Sequence, residues 1–278
     1  MTRYNGQVAL ITGAASGIGR ALSLALARSG AAVALIDVNA QGLDVLEREI
    51  VDAGGQGRAF TGDVSHPDAL ADVTAEMLRH SGRVDYLFNA AGLEINGDAL
   101  AVDTAKWQAG FAVDLQGVIF STRSVYPILL KQGFGHVVNI ASLAGLVPLP
   151  GLTYYAAAKH AVVGYSLALR AEAQPHGVRV SVACPALVET ELRRNTAAYL
   201  GRPNTAQPRL RWPQPISAER CACEILGGVA RNAAIIPIPW TLAWVWWLYR
   251  LSPGLFTALT GRLYARGLGL TDPSQKTT

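Results

Sequence analysis

The stretch "VALITGAASGIGRALSLALARSG", residues 8–30, decides the fold. It opens on a short apolar run that ends in glycine, as a buried parallel strand does. It closes with "GIGRALSLALARSG", whose apolar residues recur at helical spacing up to a terminal glycine. Between them lies "TGAASGIG", residues 12–19, a glycine-rich turn from strand to helix. A strand followed at once by a helix predicts the first half of a βαβ unit.

Outward from this stretch the alternation continues. "AAVALIDV" reads as a second buried strand and "AQGLDVLEREIVDAG" as an amphipathic helix. "GRAFTGDV" is a strand, "PDALADVTAEMLRHSG" a helix and "VDYLFNAAG" a strand. A single long helix is expected around 104–132, followed by the strand "GHVVNIAS", a helix through Tyr155 and the strand "VRVSVACPA". Helices between consecutive strands imply an α/β fold, a doubly wound parallel sheet of Rossmann type with helices on both faces. The pattern breaks after Val188. Residues 189–217, rich in Arg, Pro, Asn and Thr, are expected to form an excursion, with a short helix near 190–200. A helix resumes near 217–231, and "AAIIPIP" is strand-like. Two parts result: residues 1–235 as a Rossmann-type domain, and 236–278 as a hydrophobic, Trp-rich helical extension.

Composition narrows the classes. Half of the 278 residues are hydrophobic and 16% are charged, so a folded chain with a large core is expected. Residues 1–190 carry 13 Lys/Arg against 16 Asp/Glu, and residues 191–278 carry 11 against 4. The basic final third is scattered arginine without aromatic–basic interleaving, which argues against nucleic-acid binding. Cys184, Cys221 and Cys223 form neither a disulfide framework nor a zinc knuckle, and the five histidines are dispersed. No metal site is expected. The chain opens without a signal-like segment, so a cytoplasmic location is expected.

The glycine turn carries chemistry. Gly13 permits a sharp turn, Gly17 lets backbone approach a pyrophosphate, and Gly19 lets helix and sheet close up. The N–H groups at the start of the helix, with Ser16 and Ile18 beside them, face the phosphates. Asp37 ends the second strand, where a carboxylate can accept from both hydroxyls of an adenosine ribose and repel a 2′-phosphate. NAD, rather than NADP, is the expected cofactor.

"LTYYAAAKHA", residues 152–161, sets two tyrosines ahead of a lysine. Tyr155 and Lys159 are i and i+4 on a helix and share a face; Tyr154 and Lys159 do not. A phenol beside an ammonium is expected to titrate below its ordinary value. Such a pair is either an acid tuned by the ammonium or a chance i, i+4 contact on an ordinary helix. In either case Tyr154 is set apart from Lys159, and Tyr154→Phe is expected to leave turnover near normal.

Together "TGAASGIG", "NAAG" at 89–92, Ser142, "YAAAK" at 155–159 and "CPALVET" at 184–190 resemble the short-chain dehydrogenase/reductase family, in its shorter single-domain branch. The resemblance spans roughly residues 6–235. It implies Tyr155 as the general acid/base, Lys159 lowering its pKa and binding the nicotinamide ribose, and Ser142 donating to the substrate oxygen. It implies that Asp63 and Val64 hold the adenine edge, that Asn89, Ala90 and Gly92 back the cofactor, and that Pro185, Val188 and Thr190 contact the nicotinamide amide. Glu94, Ile95, Leu143, Leu149, Leu152, Ala186 and Leu187 would line the substrate pocket. Two residues depart from the family pattern. Asp114 stands where the family has an Asn that helps hold a water behind the lysine, and Ala186 where a Gly is common. Asp114 is expected to tune a proton relay, since an ionised carboxylate accepts but cannot donate.

With this pocket mostly apolar and residues 189–217 as its lid, a bulky hydrophobic secondary alcohol or its ketone is the expected small-molecule substrate. A homodimer or homotetramer is the expected assembly. Alternatives stay open: a membrane-surface lipid or steroid dehydrogenase, a non-catalytic NAD-binding protein, or an epimerase or dehydratase that keeps NAD bound. In the tail, "PWTLAWVWWLYRLSPGLFTALTGRLYARGLGL", residues 239–270, Trp240, Trp244, Trp247 and Leu251 fall on one stripe. The stripe could pack on the domain or a second subunit, cover a greasy substrate, or lie in a membrane interface as a peripheral contact. It is too short and too interrupted by proline to span a bilayer.

Overall fold

The computed structural model describes residues 4–68, 70–95, 99–100, 102–190 and 214–267. Seven parallel strands form one sheet in the order β3-β2-β1-β4-β5-β6-β9. These are β1 (Val8–Thr12), β2 (Ala32–Asp37), β3 (Gln56–Thr61), β4 (Tyr86–Asn89), β5 (Gly135–Ile140), β6 (Val178–Pro185) and β9 (Ile235–Ile238). The first crossovers run through α1 (Gly17–Arg28), α2 (Ala40–Asp52) and α3 (Ala71–Ser81). Those after β4 and β5 contain α4 (Thr104–Phe111), α5 (Gly117–Gln132) and α6 (Thr153–Ala173). Then comes α7 (Ala218–Ala230), and past β9 lie α8 (Ala243–Leu251) and α9 (Pro253–Gly267).

The central strands are buried on both faces, which is why they read as unbroken apolar runs. Alternate residues nevertheless serve opposite layers. Ala9, Ile11, Val33 and Leu35 pack with Leu22, Leu26, Leu46 and Ile225 from α1, α2 and α7. Val8, Leu10, Ala34 and Ile36 pack with Met77, Val125, Leu129 and Leu169 from α3, α5 and α6. The period of two along each strand thus builds the two-layer core.

The order in which successive strands are added reverses between β1 and β4, which pair with each other in parallel register. At this switch point the carboxyl ends of the strands diverge and open a crevice. Two short strands, β7 (Val188–Glu189) and β8 (Ile216–Ser217), pair with each other and tie together the two ends of the expected excursion. Most of that excursion, 191–213, lies outside the described residues, as does the helix expected near 190–200.

The single helix expected over 104–132 is two helices joined by a π-helical segment, Ala112–Gln116. Pro127 sits inside α5 without ending it. The wider segment matters because it carries Asp114 (see below); such segments insert one residue into a helix and re-aim side chains.

Candidate active site

At the switch point the glycine turn is shaped by close contacts. Gly13 has φ of +67°, and a side chain there would stand 2.6 Å from the Ala91 backbone nitrogen. A Cβ on Gly19 would be 2.1 Å from the Gly13 carbonyl oxygen, so only glycine lets α1 start this close to β1. Gly17 faces Thr190, whose Cγ2 would be 3.1 Å from an added Cβ. Ser16 caps α1 in extended conformation and is exposed, and Ile18 is partly buried beneath the turn. Ser16, Gly17 and Thr190 line a cleft of about 310 Å³ together with Arg20 and Glu189.

Asp37 lies where expected, at the end of β2. One carboxylate oxygen accepts from the Ala15 N–H at 3.0 Å and the other from the Asn39 N–H at 3.0 Å. The carboxylate is thereby fixed against the glycine turn. Asp63 accepts from the Ser65 N–H at 2.9 Å. Its pKa falls below the ordinary value: burial opposes the fall, but the Ser65 hydrogen bonds and the nearby His66 outweigh it. The Val64 side chain is buried against Gly117 on α5, so only its backbone is presented to the crevice.

Asn89 is buried, and its amide donates to Asn139 Oδ1 at 2.8 Å and Thr122 Oγ1 at 3.2 Å. Asn139 in turn donates to Ser166 on α6 at 2.8 Å. The side chain therefore ties β4, β5, α5 and α6 together, and only the backbone from Asn89 onward is open to a ligand. The Ala90 and Ala91 N–H groups donate to Thr12 Oγ1. Gly92 brings the chain within 3.4 Å of Lys159 Nζ, measured from an added Cβ.

Ser142 follows β5 and is buried. It hydrogen-bonds Tyr155, accepts from the Ala144 N–H at 3.2 Å and donates to the Pro185 carbonyl at 3.4 Å. Tyr155 and Lys159 share a face of α6 as the spacing predicts, with the ammonium 5.5 Å from the phenol ring centroid. The expected lowering of the Tyr155 pKa is corrected by the structure. The phenol is pushed above its ordinary value, first by burial and then by the negative charges of Asp114 and Glu94, with only the Ser142 hydrogen bond opposing. Lys159 does not offset this because its ammonium is engaged elsewhere, 3.3 Å from Asp114 Oδ1.

Asp114 is wholly buried, at 0% exposure. It accepts from Lys159, from the Leu93 N–H at 2.9 Å and from the hydroxyl of Tyr154 in a very short contact. Tyr154 is also buried, against Trp107 and Phe111 of α4, and burial followed by the Asp114 charge pushes its phenol well up. The reading that set Tyr154 aside considered only positions along α6. Asp114 comes from another helix and collects Tyr154 and Lys159 together, although they lie on different faces. The signal was present in the sequence, an acid in place of an amide, but its partner was not.

The negative charge of Glu94 lies near enough to Tyr155 to help raise its phenol. Ile95 packs in a cluster that includes Tyr154 and Tyr155. Leu143 and Leu149 join another cluster beside α8. Leu152, Ala186 and Leu187 are partly exposed. Pro185 ends β6, where its carbonyl receives Ser142. Val188 is buried in β7. Among the described residues no group of three His, Cys, Asp or Glu side chains gathers at one point.

Known proteins resemble this chain in sequence and in fold. The short chain dehydrogenase family model matches residues 7–200. A Mycobacterium tuberculosis protein named as an oxidoreductase, SadH, is 35% identical over 245 residues, covering 86% of this chain and 88% of its own. The cyclohexanol dehydrogenase of an Acinetobacter species is 33% identical, covering 68% of this chain and 76% of its own. A short chain dehydrogenase/reductase from Burkholderia phymatum, solved in complex with NAD, superposes with a TM-score of 0.81 at 29% identity. That match covers 92% of this chain and 96% of the other. The chain belongs to the short chain dehydrogenase family. It is an oxidoreductase of that family by sequence as well as by fold.

Proposed function

We propose that this oxidoreductase uses NAD to interconvert a hydrophobic secondary alcohol and its ketone. The observation that carries the reading is the convergence of Ser142, Tyr155 and Lys159 at the crevice into which the glycine turn opens. The crevice fits a dinucleotide on its own geometry. Gly13 and Gly19 let the turn close tightly on Ala91 and on its own backbone, and the first turn of α1 offers N–H groups to phosphate. The Asp37 carboxylate, fixed by two backbone donors, suits a ribose bearing both hydroxyls. Asp63, Val64, the backbone of Asn89, Ala90 and Gly92, and Pro185, Val188 and Thr190 would complete the cradle. NAD would supply the acceptor or donor of hydride.

The chain's own residues handle the proton and the substrate oxygen. Ser142 Oγ donates to that oxygen and holds it beside the Tyr155 hydroxyl, and the phenol gives or takes the proton. Because Tyr155 is pushed up in the free protein, it rests as a neutral phenol at neutral pH. Lys159 stands behind it, and Asp114 provides a carboxylate that can accept a proton where an amide cannot. Tyr154 acts through Asp114, by satisfying an otherwise bare carboxylate oxygen. Leu143, Leu149, Leu152, Ala186 and Leu187 give the pocket apolar walls, and Glu94 gives it one polar end. The relative named as a cyclohexanol dehydrogenase supports alcohol oxidation as the reaction class.

The test is dinucleotide reduction across a panel of cyclic, aryl and long-chain secondary alcohols, with NAD and NADP side by side. NAD is expected to be preferred. Asp37→Ser is expected to lower the NAD/NADP ratio of kcat/KM by about 10–100-fold, the worth of a hydrogen-bond set to a charged group. Equal use of both dinucleotides by the wild type would refute the Asp37 assignment.

A further inference from the structure

Helices α8 and α9 are apolar on two sides. Their inner side is accounted for: Val245, Trp246, Tyr249 and Phe256 pack beside Leu143, Leu146, Val147 and Leu149. Tyr264 of α9 reaches the turn before α6, its ring 3.3 Å from where a Cβ of Gly151 would lie. Their outer side is bare. Trp240, Trp244, Trp247, Leu251, Leu255 and Leu259 are all exposed, Trp244 by 69% and Leu251 by 80%. The stripe read from the sequence as Trp240, Trp244, Trp247 and Leu251 therefore points away from the domain. This corrects the reading in which it packs on the domain itself. A contiguous apolar surface of this kind marks an interaction site.

The charges on this side indicate what it meets. Arg250, Arg262 and Arg266 are exposed, and no Asp or Glu occurs from residue 225 to residue 271. The Arg250 guanidinium lies 5.2 and 5.6 Å from the ring centroids of Trp246 and Trp247, so the cations border the apolar stripe. A two-fold contact with a second copy would set this surface against itself. The arginines of each copy would then approach each other with no carboxylate in the stretch to answer them. Lipid phosphates would answer them, and tryptophan favours the headgroup level of a bilayer. Among the described residues no helix is long and apolar enough to cross a membrane, so the helices would lie in the surface plane.

We propose that the outer face of α8 and α9 attaches the enzyme to an anionic lipid bilayer. The inner face of the same helices touches Leu143 and Leu149, so attachment places the substrate side of the crevice at the membrane. That last clause rests on the oxidoreductase reading and implies a substrate dissolved in lipid.

The test is flotation of the full chain with phosphatidylcholine vesicles, with and without phosphatidylglycerol. Wild type is expected to float with the phosphatidylglycerol vesicles. Trp244→Ser/Trp247→Ser/Leu251→Ser, all at exposed positions, is expected to lose binding by on the order of a hundredfold. Arg262→Gln/Arg266→Gln is expected to lose roughly 30-fold, at about fivefold per cation near an anionic surface. Both variants should keep wild-type turnover on a water-soluble alcohol without vesicles. The proposal is overturned if wild type stays at the bottom of the gradient, if the triple variant floats as well as wild type, or if both vesicle types bind equally. It is also overturned if the only effect of the triple substitution is to split an oligomer seen by sedimentation, since the face would then meet a second copy. Flotation is read without turnover, so an inactive wild type that still floats would sink the oxidoreductase reading alone.

Discussion

Asp114 and Trp244 both sit in the wrong solvent by the ordinary rules of burial. Asp114 is a carboxylate with no exposure, and Trp244 is a large apolar side chain left 69% exposed. The difference between them lies in what surrounds each. Asp114 is answered inside the fold by an ammonium, a peptide N–H and a phenol hydroxyl. Trp244 is left to solvent, and its neighbour Trp247 meets Trp246 and the Arg250 guanidinium on the same exposed side. A buried charge that is fully partnered belongs to the machinery of the molecule itself, because such groups cost stability unless every lone pair is met. An apolar face that is not partnered belongs to whatever the molecule touches.

The largest expected effect lies in the crevice. Tyr155→Phe should reduce turnover by about 10²–10⁴-fold, the contribution of a positioned acid/base, while dinucleotide binding measured by fluorescence persists. Near-normal turnover would break the assignment of the proton to this hydroxyl.

A second experiment asks whether Asp114 is as well answered as its contacts suggest. Tyr154→Phe removes the donor to one carboxylate oxygen and leaves it buried, which should cost about 1–3 kcal/mol in denaturant unfolding and lower turnover. In an Asp114→Asn background the same change should cost much less, because an amide carries no charge to satisfy. The double-mutant cycle, read both in stability and in the pH profile of kcat, would expose the coupling. Additive effects would mean that Tyr154 merely fills space against Trp107 and Phe111.

The smallest effect falls on the other region. Trp244→Ser should change unfolding stability by no more than about 0.5 kcal/mol, as substitutions at unpartnered surface positions do. A cost of several kcal/mol would mean that the tryptophan is packed in the protein as it exists in solution, and the contrast with Asp114 would collapse.

Much of the crevice was legible in the chain because its determinants are local. The turn at residues 12–19 joins a strand to a helix over a few residues, and φ of +67° at Gly13 is a backbone demand that sequence records directly. The pairing of Tyr155 with Lys159 follows from helical periodicity. Ser142 was placed only by resemblance, since its approach to Tyr155 depends on how the loop after β5 meets α6. Asn89 was expected to back the cofactor by resemblance alone; that its amide nitrogen donates to Asn139 and Thr122, partners that sit 50 and 33 residues away, was not legible in the chain.

The sequence by itself determined the alternation of strands and helices, the glycine turn, the strand-end acid Asp37 and the Tyr155–Lys159 spacing. Each of these is set by neighbours within one or two turns of chain. Only the tertiary structure decided that Tyr154 reaches Asp114, that the Tyr155 phenol is raised rather than lowered, and that the tryptophan stripe faces outward. The first depends on a π-helical segment that brings a distant carboxylate to α6, and the second on burial of the phenol first and on the Asp114 and Glu94 charges after it. The third could not be read from hydropathy, because α8 and α9 are apolar on both sides and only packing shows which side the domain has covered.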